Sequence, residues 1–208
     1  MKKITFSFLI CLFVIQLSSC KKETHKTKTP KEVTTEKKEV KFSLENAENI
    51  IKWTAYKTTD KIPVKGQFKK VSISSGGKGD NLKEAIHNTE FSVPVSSLFT
   101  NDSSRDYKIK KFFFGVMDKT ELLSGKLVLE NDSLGYTDIT MNGVQKKLPF
   151  NYSIDGKKFM MSATMKISDW KAEKALNSLN TVCKDLHKGA DGVSKTWDDV
   201  IIEITSMF

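Results

Sequence analysis

Cysteine and histidine are scarce, with three of each in 208 residues. Cys11 lies in an apolar N-terminal run and Cys20 closes it, which leaves Cys183 as the one thiol of the body. No internal disulfide is therefore expected. His25 falls in a polar segment and His87 in a predicted strand. Cys183 and His187 stand four apart on one face of a predicted helix, but two soft ligands do not complete a metal site. The longest apolar run is shorter than the roughly 20 residues that cross a bilayer as a helix. The chain lacks G-x-S-x-G, H-E-x-x-H, a phosphate loop and any pair of carboxylates set by a recognisable motif. Those absences weigh against an enzyme, and no catalytic or metal residue is assigned. The net charge of +9 is also unevenly held: +2 in residues 1–20, +4 in 21–41 and only +3 in 42–208. A nearly neutral body gives no support for a nucleic-acid partner.

What is present begins with an address. Lys2 and Lys3 precede the apolar stretch Ile4 to Ile15, and Ser18 and Ser19 follow, as in a bacterial export signal. The segment L-S-S-C resembles a lipobox, which implies lipidation of Cys20 and removal of residues 1–19. Several acyl chains would hold the protein firmly, whereas one gives only marginal binding. Lys21 follows the cysteine where an aspartate would argue, by analogy, for inner-membrane retention. The expected location is the outer membrane, facing the periplasm. Residues 20–41 comprise the lipidated cysteine and a lysine- and threonine-rich tether with almost no apolar side chains.

Residues 42–208 alternate with period two. Leu148, Phe150, Tyr152 and Ile154 share a face, as do Phe159, Met161, Ala163, Met165 and Ile167, with a D-G-K turn between the runs. M-N-G marks another hairpin. Counting such runs predicts eight strands, near 49–57, 64–74, 85–95, 122–130, 134–141, 144–154, 158–168 and 197–207. The expected fold is all-β: an eight-stranded antiparallel barrel, which removes exposed edges and is wide enough for side chains or one slender ligand. Two helices interrupt it. A short one near 104–112 is capped by Asp102 to Ser104. Another near 170–188 is capped by Asp169 and stopped by Gly189. Its apolar stripe runs through Ala172, Leu176, Leu179, Val182 and Leu186.

The ordered motifs Trp53-x-Ala55, Gly66-Gln67-Phe68, Ser97-Leu98, Thr100, Arg105-Asp106, a Phe pair within Phe112 to Phe114, and Gly143 resemble the YceI-like family. The resemblance covers roughly 42–208. It implies a lipocalin-like barrel associated with polyisoprenoid binding in the periplasm. The chain departs from the family pattern after the Phe pair, where a usual proline is missing, and in S-D-W-K-A-E-K-A-L, which replaces an Arg-containing segment. A non-catalytic carrier of a long apolar lipid, an isoprenoid quinone or polyprenol, is expected. Its cavity would be lined by Trp53, Phe68, Phe91, Phe112, Phe113, Phe114, Phe150, Phe159 and Met161. Arg105 either anchors its helix through an ion pair or meets a ligand headgroup. A packed barrel serving as a structural or adaptor lipoprotein is the alternative.

Overall fold

Alternation of apolar and polar side chains produces twelve antiparallel strands in a computed structural model that describes residues 40–208. The export signal, Cys20 and nearly all of the tether lie outside the described residues. In chain order the strands are β1 Phe42–Ser43, β2 Glu48–Lys57, β3 Ile62–Phe68, β4 Ser72–Ser75, β5 Lys78–Gly79 and β6 Glu90–Pro94. They continue as β7 Leu98–Phe99, β8 Leu122–Leu129, β9 Leu134–Met141, β10 Val144–Asp155, β11 Lys158–Lys166 and β12 Asp199–Met207. The helices are α1 Leu82–Ile86, α2 Ser103–Phe112 and α3 Glu173–Val182.

Both predicted hairpins form. Asn142 and Gly143 take φ of 52° and 67°, the left-handed pair that matches the twist of β9 and β10. Gly156, at φ 57°, turns β10 into β11. Along β10 the buried side chains are Leu148, Phe150 and Tyr152, with Lys147, Pro149 and Asn151 exposed between them. This is the period expected of a sheet with one dry face.

The expected eight-stranded closed barrel is not what forms. Ten strands make one curled sheet in the order β4-β6-β8-β9-β10-β11-β12-β2-β3-β7, while β1 and β5 pair separately. Two predicted runs account for the difference. The run at 64–74 divides into β3 and β4, which go to opposite flanks of the sheet. The run at 85–95 starts in α1, where Asn81 Oδ1 accepts from the Glu84 amide and nucleates a helical turn, so only Glu90–Pro94 is strand. Among the described residues no ladder joins the two flanks. The backbone crosses that seam instead. β6 pairs with β8, the 3-10 turn Val95–Ser97 redirects the chain, and β7 pairs with β3. The core fills the inside of the curl and includes Trp53, Phe68, Phe150, Phe159, Met161 and Trp170.

The second helix is shorter than expected. Ile167–Trp170 is a 3-10 turn, Lys171 takes φ 55°, and α3 begins beyond it. Asp169 therefore lies before the helix rather than capping it. Ala172 occupies the cap position without a side-chain bond, and α3 stops at Val182, short of Gly189. Ala172 and Ala175 are buried, Leu176 and Leu179 partly so, but Val182 and Leu186 are exposed.

Candidate functional site

The inward side chains of the curled sheet leave a cavity at the centre of the core. β2 contributes Ile51, Trp53 and Ala55; β6 contributes Phe91 and Val93; β9 contributes Ile139 and Met141; β11 contributes Phe159, Met161 and Met165; and β12 contributes Val200, Ile202 and Ile204. Leu44 and Ile86 lie toward one end. Ile109 of α2, Phe113, Phe114 and the α3 residues Leu176 and Leu179 lie toward the other. About 190 Å³ inside can hold the centre of a water-sized sphere.

The wall is carbon. No Asp, Glu, Lys, Arg, His, Cys or Tyr lines it, and its polar side chains besides Trp53 and Trp197 are Asn49, Thr137, Thr196 and Ser206. Ser206 Oγ donates to Asn49 Oδ1 at 2.6 Å, and the Asn49 amide donates to the Leu44 and Ala47 carbonyls. Thr196 Oγ1 donates to Asn180 Oδ1 at 2.9 Å and lies 2.7 Å from His187 Nδ1. Trp53 Nε1 and Thr137 Oγ1 are buried without a protein partner. Such a wall carries no ionisable side chain. It can exclude water and shelter hydrocarbon.

Seven of the ten side chains expected to meet a ligand line this cavity: Trp53, Phe68, Phe91, Phe113, Phe114, Phe159 and Met161. Phe150 is buried elsewhere in the core, edge-on to Tyr152 with ring centroids 6.2 Å apart. Phe112 turns outward against Tyr107, also at 6.2 Å, with Lys111 Nζ 5.4 Å from its ring. The three adjacent aromatics thus divide between a surface cluster and the cavity end, as helical geometry requires.

Arg105 also stays outside the cavity. Its Nε donates to Thr100 Oγ1 at 2.9 Å and Nη2 to the Thr100 carbonyl at 3.2 Å. Asp106 Oδ1 accepts from the Thr100 amide at 2.8 Å and from Thr100 Oγ1 at 2.6 Å. The Arg105–Asp102 ion pair is looser, at 3.9 Å. Thr100 in turn packs toward Gly66, where an added Cβ would run into the Trp53 indole and the Thr100 methyl. The scattered motif residues Trp53, Gly66, Thr100, Arg105 and Asp106 therefore meet in one clamp that fixes α2 to the sheet corner.

Cys183 is buried at the end of α3, and that burial pushes its thiol above its ordinary value. Burial, with Lys57 nearby, holds His187 below the usual histidine range. Among the described residues no group of three or more metal-binding side chains converges. The aliphatic contributors Leu44, Ile86, Ile109, Leu176 and Leu179 were not foreseen as cavity residues. Helical periodicity marked the last two as apolar, but nothing local places them over a sheet.

The YceI-like domain model matches residues 32–208. Among solved structures, the chain resembles a polyisoprenoid binding domain from Saccharophagus degradans implicated in plant cell wall breakdown. The identity is 10%, the match covers 76% of this chain and 91% of that one, and the TM-score is 0.56. It also matches BcnA of Burkholderia cenocepacia at 12% identity, covering 80% and 99%, with a TM-score of 0.47. The Campylobacter jejuni YceI protein matches at 18% identity, covering 67% and 81%, with a TM-score of 0.45. No curated protein sequence matches. A family match that spans the whole described sheet, together with the shared fold, establishes that this chain belongs to the YceI-like domain family.

Proposed function

We propose that this protein is a non-catalytic carrier that holds an isoprenoid-type lipid inside its curled sheet in the bacterial envelope. The observation that carries the reading is the central cavity with no ionisable side chain in its wall. The family and the polyisoprenoid binding domain that shares the fold point the same way. The volume of 190 Å³ sets the scale. An engineered apolar cavity of about 150 Å³ accepts benzene. The cavity therefore suits one slender segment of hydrocarbon. Each buried methylene contributes about 0.8 kcal/mol, so affinity should follow chain length more than headgroup.

Residues 21–208, exported to the periplasm without the anchor, are purified and extracted with organic solvent for mass spectrometry. A stoichiometric isoprenoid is the expected result. An empty extract that also takes up no added quinone or polyprenol would leave a packed structural lipoprotein as the function. The L-S-S-C motif supports an outer-membrane lipoprotein facing the periplasm. Cys20→Ser should move the protein from the membrane fraction to the soluble one. Unchanged membrane association would reject the anchor.

A further inference from the structure

One end of the cavity differs from the rest of the surface. Tyr107 on α2, Val116 after it, Val182 on α3, and Leu186 and Val193 beyond account for five of the ten large apolar side chains exposed among the described residues. Tyr107 is 56% and Leu186 58% exposed. α2 packs against α3, so these side chains share one region. The stretch 103–119 is basic, at +3 against +3 for all of 42–208, while 182–193 is balanced at 0. The rest of the body is thus close to neutral. Lys108, Lys110, Lys111, Lys119, Lys184 and Lys188 form no ion pair with any described carboxylate. Lys108 Nζ and Lys111 Nζ bond only to Ser104 Oγ and the Tyr107 hydroxyl. The acidic groups in the region are Asp102, paired with Arg105, Asp106, held by Thr100, Asp191, which accepts from the Val193 amide, and Asp118, Glu173 and Asp185.

Exposed aromatic and aliphatic side chains among unpaired lysines are the chemistry of a helix that lies in a lipid interface. The apolar groups enter the acyl boundary and the ammonium groups meet phosphate. No residue of α2 is buried, although Ile109 and the following Phe113 and Phe114 line the cavity. α2 is therefore a thin cover, held at its N-terminal end by the Thr100 clamp and elsewhere by its packing against α3.

We propose that the α2/α3 end docks on an anionic phospholipid surface and that lipid enters or leaves the cavity beneath α2. The route of exchange rests on the carrier reading; the docking does not.

The test uses the full chain in vesicles of zwitterionic phosphatidylcholine with or without anionic phosphatidylglycerol, both containing brominated lipid. An environment-sensitive fluorescent amino acid replaces Tyr107 or, as a control on the opposite end, Leu134. Bromine quenching at 107 in anionic vesicles should exceed that at 134 several-fold. It should be lost in the variant Lys108→Glu/Lys111→Glu/Lys184→Glu, whose circular dichroism and solvent-extractable lipid stay unchanged. Equal, weak quenching at the two positions would overturn the docking, as would equal quenching at 107 in neutral vesicles. A dimer that shields position 107 without any vesicle would assign the face to self-association instead. Lipid content is read by extraction, so loss of docking and loss of the carrier function are separate results.

Discussion

Gly66 shows how much one side chain decides. It lies opposite Trp53 in the β2–β3 ladder, and its missing Cβ is the space the indole occupies. Gly66→Val should force Trp53 and Thr100 apart and cost about 1–3 kcal/mol, seen as a lower urea midpoint with an unchanged slope. His187 offers a second reading at this scale. Burial and Lys57 lower its folded pKa below the value near 6.5 of an unfolded chain. Between the two values the unfolded chain binds more protons. The stabilising contribution is therefore complete above the unfolded pKa and is lost as pH falls through the folded one. Melting temperature should drop on acidification from about pH 7.5 to about pH 5, and His187→Gln should flatten that part of the profile. Aromatic identity was readable from sequence but its destination was not. Phe112 and Phe113 are neighbours, yet one packs half-buried against Tyr107 and the other faces the cavity, because 3.6-residue geometry and the packing of α2 choose their directions.

At the scale of elements, the hairpins and long strands were legible because period-two alternation and Asn-Gly or Asp-Gly turns are local signals. β2 and β8 to β12 stand close to their expected positions. The failures occur where a local signal was ambiguous. An apolar run at 85–95 reads as strand until Asn81 caps a helical turn, and the stripe through Val182 and Leu186 reads as helix although α3 has ended. α2 was anticipated, cap included: Asp102 Oδ1 accepts from the Arg105 amide at 3.0 Å. Asp102→Ala should cost about 1 kcal/mol. Because α2 buries no residue, the loss should appear as faster amide exchange in 103–112, with β10 to β12 unchanged. Uniform acceleration across the sheet would show that α2 is integral to global stability rather than a separable cover.

For the whole molecule, the decisive property is the space left inside. Ala55 lines the cavity from β2, so Ala55→Phe places a ring there. The variant should fold, and its extractable lipid should fall several-fold by mass spectrometry; undiminished lipid would put the ligand elsewhere. By itself, the sequence determined the antiparallel strands, their hairpins, an apolar inner face and the family motifs, since these depend on neighbours a few residues apart. The tertiary structure alone decided that ten strands curl with the chain crossing the seam at Val95–Ser97, and that Gly66, Thr100, Arg105 and Asp106 form a clamp outside the cavity that Trp53 lines. It also decided that a cavity remains. Each of these depends on contacts between residues far apart in the chain, and a volume exists only once opposing walls have been set at a distance.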